Sequence, residues 1–331
     1  MTYKPPFPWF GGKTTVAAEV WQRFGDVRNY VEPFMGSLAM LMLRPRPFEG
    51  TETVNDADGF VCNFWRAVSR VPDEVANWAD WPVIENDLHA RHIWLKERRG
   101  GLTSRLEGDP DYFDAKIAGW WAWGQCCWIG SGWCAGARGG PWDVVEIDGA
   151  RQLVHLGNAG RGVNRKLVHL GDAGRGVNRQ RVSDLADYFA ALSERLARVR
   201  VCCGDWTRVC GPTPTVKQGL TAVFLDPPYA DTAERDDDLY AKDSLSVAHT
   251  VREWAIEHGD DKRLRIALCG YQGEHVMPTS WTEWAWKSRG GYGSQSNVHD
   301  NPNARRERIW FSPHCVDVAN DEMPLFASLV E

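Results

Sequence analysis

The chain has 331 residues, room for about two domains at ~150 residues each, and its 43% apolar and 25% charged residues are an ordinary globular balance. It holds no run of about 18 apolar residues, and Met1 to Pro6 lacks a basic cluster ahead of an apolar core, so no membrane span and no signal peptide are expected and the expected location is cytoplasmic. The net charge of −6 excludes a uniformly basic DNA-coating protein, so any nucleic-acid footprint must be local.

In chain order, Asn29 to Glu32 reads as a short strand that stops at a Pro-Phe-Met-Gly turn, with a helix from Ser37 to Leu43. Thr51 to Val54 is a second strand, ending at Asn55-Asp56. Gly59 to Arg70 follows with Phe60, Phe64 and Val68 at helical spacing. From about residue 71 the pattern changes. Helical stretches at Glu85 to Arg98 and Tyr112 to Cys127 lead into a Gly- and Trp-rich segment, Trp128 to Trp142, with little periodicity. A repeat comes next: Leu153 to Arg165 reads LVHLGNAGRGVNR and Leu167 to Arg179 reads LVHLGDAGRGVNR. Two copies are too few for a solenoid, which needs at least about three. The α/β pattern then resumes with a helix at Ser183 to Arg198 and strands at Val199 to Cys203 and Thr221 to Leu225. A helix at Ser246 to His258 and a strand at Leu264 to Cys269 come after them. Thr282 to Lys287 and Glu307 to Ser312 read as late strands, expected to be antiparallel at one edge. One sheet is thus expected from both ends of the chain, with an insertion between them.

Nine cysteines could suggest disulfides or metal, but Cys126-Cys127 and Cys202-Cys203 are adjacent pairs and the others are scattered, with no C-x-x-C. Buried, reduced thiols and no metal site are expected.

Chemistry concentrates where predicted strands end. After the apolar run Ala222 to Leu225 comes Asp226-Pro227-Pro228-Tyr229. A Pro-Pro pair cannot continue a ladder and fixes a rigid, extended turn. It holds one carboxylate and one aromatic ring in place, which suits a planar base with an exocyclic amine. The carboxylate and the Pro227 carbonyl accept the amine hydrogens, the ring stacks on the base, and the amine lone pair is freed to attack a methyl sulfonium. Gly11-Gly12-Lys13-Thr14 invites a phosphate-loop reading, but that motif needs glycine where Phe7 stands. A Gly-Gly turn between Trp9 and Lys13 better suits a carboxylate-bearing, partly aromatic ligand. Glu32-Pro33-Phe34-Met35-Gly36-Ser37 is a strand-to-helix turn, and Asn55-Asp56 about twenty residues on is placed to bind ribose hydroxyls. Gly204-Asp205-Trp206 puts a carboxylate beside an indole, a pair able to hydrogen-bond and flank an adenine ring.

These motifs, in this order, resemble the Dam family of D12-class DNA adenine methyltransferases, over roughly residues 5–70 and 183–312. W-x-G-G-K corresponds to Trp9 to Lys13, E-P-F-x-G to Glu32 to Gly36, N-D-x-[ND] to Asn55 to Asp58, and D-P-P-Y to Asp226 to Tyr229. The resemblance implies an α/β fold with the seven-stranded, mostly parallel sheet of Rossmann-like class I methyltransferases. It divides the chain into an S-adenosylmethionine-dependent catalytic domain, 1–70 and 183–331, and an inserted, mainly helical target-recognition domain, 71–182. Trp9, Lys13, Phe34, Gly36, Asn55, Asp56, Asp205 and Trp206 would line the S-adenosylmethionine site. Asp226, Pro227, Pro228 and Tyr229 would hold a flipped adenine. The cofactor loop departs at Leu38, where the family usually carries a second glycine. The expected partner is double-stranded DNA, with the protein acting as a monomer.

The stretch from Arg151 to Arg181 carries seven basic residues against the single acid Asp172, so Arg161, Arg165, Arg175 and Arg179 are candidate phosphate contacts. The competing readings are a cytosine-N4 methyltransferase, which uses the same chemistry, and a DNA-binding module without catalysis. A protein-glutamine methyltransferase would be expected to carry Asn at position 226.

Overall fold

The computed structural model describes residues 4–9, 11–128, 133–134, 144–147, 150–153, 181–228, 247–286 and 306–318. Tyr229 and the arginines at 161, 165, 175 and 179 lie outside them, as does nearly all of the repeat.

The first helix, α1 (Ala17–Phe24), buries Ala17, Val20, Trp21 and Phe24, the one-sided spacing of an amphipathic helix. It stops at Gly25, whose N–H donates to Trp21 O. Strand β1 (Asn29–Glu32) follows, buried throughout, then a four-residue helix α2 (Ala39–Met42) and strand β2 (Thr51–Asp56). Helix α3 (Gly59–Arg70) is capped by Asp58, whose side chain accepts from Phe60 N at 2.8 Å. Helices α4 (Pro72–Ala79), α5 (Glu85–Gly108) and α6 (Ala115–Cys127) come next, then an antiparallel pair, β3 (Val144–Ile147) and β4 (Ala150–Leu153). The chain returns through α7 (Arg181–Leu196), β5 (Val199–Cys203), α8 (Thr207–Cys210) and β6 (Thr221–Leu225). It ends in α9 (Val247–His258), β7 (Leu264–Tyr271), β8 (Thr282–Ala285) and β9 (Glu307–Phe311).

The seven strands β5-β2-β1-β6-β7-β9-β8 form one mixed sheet. β5, β2, β1, β6 and β7 are parallel neighbours; β9 runs against β7, and β8 against β9. This α/β arrangement is compatible with a Rossmann-like fold. The chain builds outward from β1 to β2 and β5, then returns to lay β6 and β7 on the other side. Such a reversal opens a crevice at the carboxyl ends of β1 and β6, where open α/β sheets bind ligands. The late strands are antiparallel, as their position in the sequence suggested.

Two apolar layers cover the sheet. One joins Phe24, Tyr30, Phe224 and Phe311 to the helices of residues 59–128 and to α7. The other packs Val31, Val223 and Leu225 against Trp206, Val251 and Ala255 of α8 and α9. Central strand β6 is buried along its whole length, which is why it reads as an unbroken apolar run. On the first face, Glu52 of β2 sits between two arginines. Arg195 of α7 donates to both of its carboxylate oxygens, at 2.6 and 2.8 Å, and Arg44 donates at 3.1 Å. Arg195 also bonds Leu41 O, and Arg44 bonds Val27 O, so the triad ties the returning helix to the first half of the sheet. All nine cysteines are free, and seven are buried.

Several elements differ from the sequence reading. Helix α5 runs past Arg98 to Gly108, because Leu102 and Leu106 continue its buried stripe while Gly100 and Gly101 face open space. The helix expected from Ser37 shortens to Ala39–Met42, because Leu38 takes a left-handed backbone, φ 56° and ψ 30°. The two strands β3 and β4 lie just beyond the Gly- and Trp-rich segment, where the sequence reading places no element.

Candidate functional site

The turn after β1 is held in place by the ends of its neighbours. Asn55, fully buried at the end of β2, donates through Nδ2 to Pro33 O at 3.1 Å and to Gly204 O at 3.0 Å. One amide therefore spans the turns after β1 and β5. Main-chain bonds reinforce it: Met35 N donates to Asn55 O, and Gly204 N to Asp56 O, both at 2.8 Å. The Asp56 carboxylate accepts from Gly36 N at 3.0 Å and from Asp58 N at 2.9 Å. Burial pushes Asp56 up to about 7, although those N–H bonds work in the opposite direction. Asn55 Oδ1 is buried with no hydrogen-bond partner among the described residues.

Gly36 has φ 43°, and an added Cβ would lie 2.8 Å from Trp9 Cδ1 and Cε2. Only glycine lets the indole lie this close to the turn. The turn is fixed from behind by Trp65, whose Nε1 donates to Gly36 O at 3.0 Å. Phe34 and Trp206 face each other across the same end of the sheet, ring centroids 6.3 Å apart at 32°. Asp205 is exposed, and its carboxylate accepts from Thr207 N at 3.0 Å at the start of α8.

Asp226 follows β6 directly. Lys13, only 3% exposed, reaches it with Nζ 2.8 Å from Oδ1 and also donates to Gly11 O at 2.7 Å. The Asp226 side chain is 19% exposed. Burial opposes both charges. It raises the Asp226 carboxyl above its ordinary range against the pull of Lys13. Burial also works against the Lys13 ammonium, but Asp226, with Cys269 and Glu307, outweighs it and keeps Lys13 protonated. Cys269 belongs to β7 one residue beyond Leu268, the partner of Leu225, and so lies across from Asp226. Pro227 is buried and Pro228 half-buried.

The structure thus brings Trp9, Phe34, Gly36, Asn55, Asp56, Asp205 and Trp206 to the carboxyl ends of β1, β2 and β5. Lys13 is joined to Asp226 of β6. The sequence reading missed Trp286, whose ring lies under the Lys13 ammonium with its centroid 5.9 Å from Nζ. The predicted strand Thr282 to Lys287 contains it, but among eighteen tryptophans nothing singles it out. It also missed Trp65, the support for Gly36. Glu32, at the end of β1, accepts from Tyr30 Oη at 2.9 Å, and burial, only partly opposed by that bond, pushes it up to about 8. No grouping of His, Cys, Asp and Glu suited to a metal ion occurs among the described residues. No helix among them is long and apolar enough to cross a membrane.

The chain matches no family model and no curated protein.

Proposed function

We propose that this protein is a DNA adenine-N6 methyltransferase that uses S-adenosylmethionine. The observation that carries the reading is the position of Asp226-Pro227-Pro228. It lies at the carboxyl end of β6, the strand beside β1, whose own turn holds Gly36 against Trp9 and Asp56. A carboxylate for an amine and a cradle for a nucleoside cofactor therefore share one crevice.

The residues present fit the cofactor. Gly36 is buried against the Trp9 indole where a side chain would collide, and Asn55 Oδ1 is a buried acceptor with no donor among the described residues. Asp56 would take the ribose hydroxyls, and Phe34 and Trp206 would flank the adenine. The cofactor supplies an electrophilic methyl group on a sulfonium. Asp226 and the Pro227 carbonyl would accept the hydrogens of the target amine and aim its lone pair, so that positioning supplies much of the acceleration. Transfer is direct, and no cysteine nucleophile is required.

A base inside a duplex must be flipped out, at a cost of a few kcal/mol, which stacking on Tyr229 would offset by about 1–3 kcal/mol. The arginines at 161, 165, 175 and 179 would contact phosphates of double-stranded DNA. We infer a monomer acting in the cytoplasm.

The test is transfer of tritiated methyl from S-adenosylmethionine to DNA that lacks prior methylation, followed by nucleoside analysis. N6-methyladenine is the expected product. N4-methylcytosine would move the assignment to the neighbouring chemistry, and cofactor binding with no transfer to any DNA would refute it.

A further inference from the structure

Trp286 ends the outermost strand of the sheet, yet it belongs to the site. Its main-chain N–H donates to Glu307 O at 3.3 Å, and Glu307 pairs with Tyr271 of β7. Tyr271 lies beyond Leu268, the partner of Leu225, at the same carboxyl edge as Asp226. This row carries Trp286 along the rim toward the end of β6. Its side chain joins the apolar layer that contains Phe7, Cys269 and Tyr271. There its ring meets the ammonium that holds Asp226.

The indole is 8% exposed, and its Nε1 has no hydrogen-bond partner among the described residues. Among the described residues Trp120 Nε1 shares this state, but other indoles do not. Trp21, Trp65, Trp123 and Trp133 each donate to a main-chain carbonyl at 3.0 Å. Native folds rarely bury a donor without an acceptor, and a site that a ligand completes is one reason they do. The Lys13 ammonium lies 2.8 Å from Asp226 Oδ1 and 5.9 Å from the centroid of this ring, so carboxylate and indole border the same ammonium. A base whose amine reaches the Asp226 carboxylate would come within reach of the indole edge.

An acceptor beside a donor is complementary to an aminated base edge. In adenine the N6 amine is flanked by the ring acceptors N1 and N7, and in cytosine the N4 amine lies beside N3; the edges of thymine and guanine present a carbonyl where this site needs an amine. We propose that Trp286 Nε1–H donates to the ring nitrogen adjacent to the target amine while Asp226 accepts from the amine itself. This makes Trp286 a specificity-determining residue of the base pocket, and it rests on the methyltransferase reading above.

The experiment begins with the full-length protein and unmethylated DNA, sequenced to find the modified site. Short duplexes are then made with adenine, 7-deazaadenine or 1-deazaadenine at the target. The wild-type protein is expected to lose roughly tenfold in kcat/KM on one of the two deaza duplexes, the size of one lost hydrogen bond. Trp286→Phe keeps the ring and removes the N–H. It should lose a similar factor on adenine, show no further loss on that same deaza duplex, and bind S-adenosylmethionine as wild type does. Wild-type activity of W286F on adenine, or an equal loss on all three duplexes, would overturn the proposal. If W286F does not fold, the wild-type deaza series decides, and no loss on either duplex overturns it. Absence of methyl transfer by the wild-type protein to any DNA is a different outcome, and it removes the underlying reading as well.

Discussion

Replacing Asp226 by Asn and Lys13 by Met, singly and together, separates what the ion pair does for stability from what the carboxylate does for chemistry. At 2.8 Å and an effective dielectric of about 20, the attraction is about 6 kcal/mol. Desolvation of the ammonium, 3% exposed, and partial screening of a carboxylate 19% exposed reduce this to a net coupling of about 2–4 kcal/mol. Asp226→Asn leaves a buried ammonium without its carboxylate, and Lys13→Met leaves the reverse, so each single variant should be destabilised. The double variant removes both charges and should recover most of the loss. Urea midpoints at constant slope give the cycle. Effects that add to within about 0.5 kcal/mol would refute the ion pair as a unit in solution. Methyl transfer reads the other half: both variants that lack Asp226 should be inactive even where stability is restored. Near-wild-type turnover in D226N would refute its role toward the amine.

Asp56 gives a pH dependence. Its carboxyl is raised from 3.8 to about 7, so its favourable contribution to stability is full below 3.8 and is lost as pH rises through about 7. Asp56→Asn should flatten stability across that window. A ribose hydroxyl is accepted best by the ionised group, so wild-type cofactor affinity should rise with pH through about 7, while D56N stays flat in calorimetric titrations. Gly36→Ala combines a left-handed backbone, about 1–2 kcal/mol, with a collision that moves the Trp9 indole. It should weaken cofactor binding by about tenfold or more, and a wild-type affinity would show that Trp9 does not shape the site. Arg195→Met deprives Glu52 of its bidentate partner and should cost about 3–5 kcal/mol in chemical denaturation. A loss below about 1 kcal/mol would mean that Arg44 alone compensates the carboxylate.

Much of the frame was legible in the sequence for a simple reason. β1, α3, β5 and β6 are short apolar runs bounded by Pro, Gly, Asp or Asn, and their limits emerge unchanged. Helix α1 carried an equally clear signal at Ala17, Val20, Trp21 and Phe24, but the preceding Gly-Gly-Lys drew the attention. The hairpin strands β3 and β4 flank Asp148-Gly149 in the sequence, a dipeptide favoured in two-residue hairpins, and this too was there to be read. Leu38 was different. The motif it resembles would place a glycine there, and here leucine takes the left-handed backbone. Complete burial of that side chain, about 1.5–3 kcal/mol, offsets a strain of about 1–2 kcal/mol. No local pattern announces such a balance. Nor could spacing foresee that Lys13, expected at the carboxylate of a cofactor, pairs with Asp226, or that Trp286 joins them. Those contacts link the first residues of the chain to its last third, and only the closed sheet creates them.

The strand order has a further meaning for assembly. β2 takes its outer partner, β5, from beyond the insertion, and β1 takes its inner partner, β6, from there as well. A break between β4 and α7 would yield two pieces that each expose unpaired central strand and complete one another on association. Glu52 on one piece would recapture Arg195 on the other, and Lys13 would recapture Asp226. Neither piece would own the whole crevice, and on the proposed reading methyl transfer would appear only on reunion, the property a split reporter needs.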